Sequence, residues 1–137
     1  MNWKLILQLS LFGLAMGIAT VFVIPSKIEP LFWLVIFVAC AYLIAARAPG
    51  RWFLHGLMVS VVNSVWITAS HLLFFDSYIV NHQQEMAMMT RMPLPDSPRL
   101  MMAAIGPVVG VASGVVLGVF ALAAGTFLRR KPSVARG

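Results

Sequence analysis

Four glycines at a fixed interval of four residues, Gly106, Gly110, Gly114 and Gly118, lie inside an apolar stretch running from Leu100 to Leu128. In a helix that interval keeps them on one row, and the missing side chains let the backbone of another helix come close. Between lipid chains, apolar burial gives helices no extra reason to associate, so such a groove is a main source of packing energy. The row constrains the chain to an all-α membrane fold held by tight helix contacts.

The composition agrees. Of 137 residues, 61% are hydrophobic and 10% are charged, against about 25% charged in a soluble domain. The length fits one membrane domain, 1–137, with no room for a soluble module beside several spans. A formal charge of +6 could suggest nucleic acid, but the basic residues flank apolar runs. They read as topological signals, so the bilayer is the expected partner and nucleic acid is not. Cys40 is the one cysteine and lies within an apolar run, where it is expected to pack as a small hydrophobe.

Four spans are expected, at 5–24, 30–46, 53–75 and 100–128, with an outer loop at 76–99. The first is uncharged and of bilayer-crossing length. A cleaved signal peptide is its competing reading, but the apolar run continues through Ile24, longer than the usual 7–15-residue core of about that class. Pro30 suits the first turn of the second span, and Pro49-Gly50 closes it. The fourth is long enough to exceed the hydrocarbon thickness, and Pro107 is expected to kink it by removing the hydrogen bond to Ala103.

Charge sets the orientation. With the N-terminus inside, the inner segments hold seven basic residues: Lys4, Arg47, Arg51, Arg129, Arg130, Lys131 and Arg136. The outer segments hold three, Lys27, Arg91 and Arg99, together with all four acids. A four-transmembrane-helix bundle with both termini cytoplasmic follows, in a bacterial cytoplasmic (inner) membrane. Trp3 and Trp52 would mark the inner interface, Trp33 and Tyr78 the outer one.

The first span carries Gly13 and Gly17, also four apart. At helical rise their depths match those of Gly118 and Gly114, so an antiparallel contact between the first and fourth spans is the expected partner of the glycine row. A second copy of the chain, or another membrane protein, is the alternative occupant of that face.

Polar residues concentrate in the third span. Ser60, Asn63, Ser64, Thr68, Ser70 and His71 occupy less than half of the helical wheel, with Gly56 among them. Lipid cannot satisfy such a stripe, so it must face protein or a cavity. Interhelical hydrogen bonds are its plain explanation, and a hydrated pocket opening outward from Asn63 past His71 its sharper one. His55 is expected at the inner interface. Past Phe75, His82 and Glu85 are three apart, and with His71 and Asp76 they compose weak candidate ligands for zinc or copper. No metal is expected there, because His82 follows His71 by eleven residues and convergence requires the chain to fold back. His82 is instead expected at the interface. Met86 to Met92 would form the apolar face of a surface segment.

No acid falls inside a predicted span, which argues against carboxylate-coupled transport. Nucleophile motifs, phosphate loops and cofactor fingerprints are missing, so neither an enzyme nor a cofactor is expected. Three classes remain: a structural or accessory subunit acting through helix contacts, a channel or transporter lined by the third span's polar face, and metal or redox handling at the outer face.

Overall fold

The structure is a computed structural model and describes residues 1–129. Arg130, Lys131 and Arg136, three of the basic residues used to orient the chain, lie outside the described residues. The fold is all-helical: α1 (Trp3–Phe22), α2 (Glu29–Arg47), α3 (Trp52–Leu73), α4 (Phe75–Asn81), α5 (Gln83–Met89) and α6 (Pro98–Arg129). Helices α1, α2, α3 and α6 are each long and apolar enough to cross a membrane. Lys4, Arg47, Arg51 and Arg129 mark one end of the molecule, the basic end. Glu29, Asp76 and Glu85 mark the other, the acidic end.

Local chemistry sets the helix ends. Asn2 caps α1, its side-chain oxygen accepting from the Leu5 amide at 3.1 Å. Glu29 and Pro30 open α2 as a first-turn acid and proline. Between α2 and α3 the chain reverses through Gly50, whose φ of 141° favours glycine, and Arg51, which is left-handed at φ 50°. α6 runs unbroken through Pro107, which faces outward.

The glycine row of α6 is met by α3. A Cβ added at Gly110 would strike Ser64, one at Gly114 would lie 2.9 Å from the Leu57 backbone, and one at Gly118 would lie 2.8 Å from the Phe53 carbonyl. Thr68 stands over Gly106 in the same way. Helix α3 supplies its own four-residue row of small residues, Gly56, Ser60, Ser64 and Thr68, running antiparallel to the glycines. The expected pairing with α1 is therefore corrected. Gly13 and Gly17 also pack on α3, against Asn63 and against Ile67 and Ser70. One central helix fills both grooves because its stripe of small side chains offers close approach on two sides.

Gly125, off the four-residue row, is also buried, and a Cβ there would run into the Trp52 indole. Arg129 lies over the same ring, 4.6 Å from its centroid. His55, in the first turn of α3 at the basic end, is 1% exposed. The Asn2 amide donates to its Nε2 at 3.0 Å, so Nδ1 carries the proton and donates to the Arg51 carbonyl at 3.0 Å. This bond ties the start of α1 to the start of α3.

The basic half is closed by Leu5, Ile6 and Leu9 of α1, Cys40, Ala41 and Ile44 of α2, Val59 of α3, and Leu117 and Ala121 of α6. Cys40 is fully buried there. A second cluster of Val21, Phe75, Tyr78 and Met102 closes the acidic end. Outward faces carry exposed Leu11, Phe12, Leu34, Val35, Val38, Val111, Val115 and Val119, the apolar surface that lipid requires.

Candidate functional site

Helix α2 contacts α6 more closely than it contacts α1 or α3, and few of its residues are buried. Beside it, in the acidic half, lies a cavity of about 710 Å³, within the ~300–1,000 Å³ usual for small-molecule sites. Its walls come from three spans and a roof: Trp33 and Phe37 of α2, the α3 stripe from Ser60 to His71, Ile105 to Ser113 of α6, and Met88 and Met89 of α5 with Met92 just beyond. The α3 segment spans about 16 Å at helical rise, roughly half of a ~30 Å hydrocarbon core. The lining ends at Phe37, Ser60 and Ser113, and beyond them the basic-half core is closely packed.

Five of the six stripe residues, Ser60, Asn63, Ser64, Thr68 and His71, line this cavity. The interhelical bonding expected of them is largely missing. Ser64 and Ser70 donate back to their own helix, to the carbonyls of Val61 and Trp66 at 2.7 and 2.8 Å. Asn63 is 3% exposed, and both atoms of its amide lack a hydrogen-bond partner. Among the described residues, His71 alone in the stripe bonds across helices, its Nε2 lying 2.9 Å from Thr20 Oγ1.

The chain after α3 does fold back, which sequence reasoning left uncompelled. Asn81 secures the return by donating to the Val21 carbonyl at 2.8 Å. This brings Tyr78 between two imidazoles: its ring stacks on His71 at 4.2 Å and on His82 at 4.3 Å. His82, between α4 and α5, is 1% exposed and so covered by the protein. Its Nδ1 donates to the Tyr78 carbonyl at 3.2 Å, and Nε2 faces Glu29 Oε2 at 3.8 Å. The other Glu29 oxygen accepts from Trp33 Nε1 at 3.0 Å.

That stack also separates the candidate metal ligands. Two nitrogens on one zinc sit within about 4 Å of each other, and an intervening tyrosine ring prevents it. Among the described residues no three of His, Cys, Asp or Glu are grouped to hold a metal ion. Asp76 is exposed and pairs with Arg99 at 3.5 Å, apart from the histidines. Glu85 belongs to the cavity wall, and its Oε2 is buried without a partner. Glu29 lines the cavity as well, one residue before the span expected from sequence. Burial, then the negative charge of Glu85 and Glu29, raises the Tyr78 phenol above its ordinary range.

The methionines of the outer segment touch the bundle on one side, although no residue of α5 is buried and Met88 is 56% exposed. Met88, Met89, Met92 and Met102 line the cavity, and Met86 packs against the second core cluster. The small-residue row on α3 was readable in the sequence as a second four-residue repeat. The role of Glu29 and the stacking of Tyr78 carry no such signal. Comparison with protein-family models, curated proteins and solved structures finds no match for this chain.

Proposed function

We propose that this is a four-span integral membrane protein, with both termini cytoplasmic, that binds a small molecule in the cavity between α2, α3 and α6. The carrying observation is the polar face of the third span: it lines a cavity of about 710 Å³ and is not consumed by hydrogen bonds between helices. A purely structural role for the stripe would pair its polar atoms, and the Asn63 amide is unpaired. The accessory-subunit reading drew on helix contacts, for which the glycine faces were one candidate surface, and both of those faces are filled by α3. The basic end then faces the cytoplasm, as the lysine and arginine bias favours, and the cavity opens toward the outer side. Its packed floor fits a binding or carrier cycle, in which α2 moves, better than an open channel.

The test is occupancy. In nanodiscs, the neutral fluorescent lipophile N-phenyl-1-naphthylamine should bind saturably above empty discs. Ser113→Trp, which puts an indole into the wall, should abolish that binding while the helix content stays the same. Binding unaffected by this variant refutes the cavity as the site.

A further inference from the structure

The cavity wall is one-sided in charge. Glu29 and Glu85 line it, and among the described residues no lysine or arginine does. Lys27 and Arg91 are close in sequence to the mouth but are exposed and outside the lining. Glu29 has one oxygen held by Trp33, and the other is 3.8 Å from His82. Glu85 buries an oxygen that no group among the described residues satisfies. A buried carboxylate oxygen without a donor carries a desolvation cost that a cation removes. Deeper in, Ser60, Ser64 and Thr68 bring hydroxyl side chains to the same wall, while the Asn63 amide packs toward Gly13 of α1. Beside the polar α3 stripe, the lining is thioether, aromatic and aliphatic, from Met88, Met89, Met102, Trp33, Phe37 and Ile105.

Resting on the cavity reading above, we propose that the ligand is an amphiphilic cation, an amine or quaternary onium with an apolar body. Its charged head sits between Glu29 and Glu85 at the mouth, and its body lies along the methionine and aromatic wall. Phospholipids fit poorly, since a phosphate needs Lys or Arg and here would meet two carboxylates. Tyr78 is no cation platform, because His71 and His82 cover both of its faces. Trp33, which lines the cavity in a T-shaped pair with Phe37 at 6.1 Å, is the platform we assign to one. Methionines suit a ligand of variable shape, being unbranched and adaptable.

The experiment uses the full chain in nanodiscs and two probes of the same size and shape, tetraphenylphosphonium and tetraphenylborate, with empty discs subtracted. The phosphonium should bind saturably and displace N-phenyl-1-naphthylamine, and the borate should do neither. Glu29→Gln and Glu85→Gln should each weaken phosphonium binding about tenfold, the scale of one partly solvated charge pair. Any loss for the neutral probe should be smaller. Gln at 29 keeps the oxygen that Trp33 uses, and thermal unfolding of each variant confirms that it is folded. Asp76→Asn, a carboxylate outside the cavity, should change nothing. Equal binding of the borate, or unchanged phosphonium binding in both Gln variants, overturns the cation assignment. If the neutral probe binds and is blocked by Ser113→Trp while the phosphonium never binds, the cavity stands and the cation falls. If neither probe binds, both readings fall.

Discussion

Gly56→Ala should destabilise the protein although alanine is the better helix former. The added Cβ would lie 2.7 Å from the Cα and N of Gly118 and 2.8 Å from the Leu117 carbonyl carbon. All three are backbone atoms, so no rotamer change can relieve them. Comfortable contact needs about 3.5–4.0 Å, and the two helices must therefore separate by about 1 Å at their crossing. A gap of ~0.5–1 Å forfeits a quarter to a half of each dispersion contact along the seam. Leu57 over Gly114 and Ser64 over Gly110 are the next contacts to loosen. Overpacking of this kind costs about 1–3 kcal/mol, and the helix propensity of alanine returns up to about 1 kcal/mol. The net expectation is a loss of about 1–2 kcal/mol, or roughly five- to thirtyfold in the folding equilibrium. Gly106→Ala is the comparison, since all of its nearest atoms belong to the Thr68 side chain, at the outer end of the seam, and none to backbone. Equilibrium unfolding in mixed detergent micelles, followed by circular dichroism, measures both. Gly56→Ala equal in stability to the wild type, or Gly106→Ala costing as much, refutes the backbone-contact reasoning.

Further outcomes are open to direct measurement. Gly125→Leu should destabilise by displacing Trp52, and unchanged indole fluorescence together with unchanged stability would contradict the burial found there. Thr20→Val removes the oxygen facing His71 Nε2 and should cost about 1–3 kcal/mol in micelle unfolding; a neutral result means that the imidazole finds another partner. In a Tyr42→Phe background, tyrosinate absorbance should report Tyr78 alone, titrating above the ordinary phenol value of about 10. Because the folded-state value is raised, its contribution to stability is complete below the unfolded value and is lost as pH rises through the folded one. Ionisation at or below the ordinary value would refute the burial of that hydroxyl beside two carboxylates. A cysteine introduced near Gln84 should react with impermeant reagent only from outside the cell, and labelling only from the cytoplasmic side would reverse the topology.

How much was legible in the sequence follows from the range of the forces involved. Lipid as solvent imposes a one-dimensional requirement, about twenty apolar residues per crossing, and every long helix was readable on that basis. Even α2, the shortest, was displaced by only one residue at each end. The need of the α3 stripe to face inward was readable too, because an exposed hydroxyl or amide in hydrocarbon has no partner. What that stripe would touch was not. Depth matching allowed α1 to fill the glycine row, whereas the observed partner is α3, whose Gly56, Ser60, Ser64 and Thr68 form a longer complementary row. Both pairings satisfy the periodicity, and van der Waals contact summed along the whole seam selects between them. The ten residues between His71 and His82 gave no reason for a reversal, in which Asn81 reaches a carbonyl of α1. That distant bond, with the packing of Val21 on Phe75 and Tyr78, sets Tyr78 between the histidines. By itself the sequence determined that the chain is helical, which segments suit a bilayer, and which helix face is polar, because those depend on the solvent and on local periodicity. Only the tertiary structure decided which helix fills the glycine groove, and that α2 stands away far enough to leave an acid-lined cavity, because these depend on shape complementarity between segments far apart in the chain.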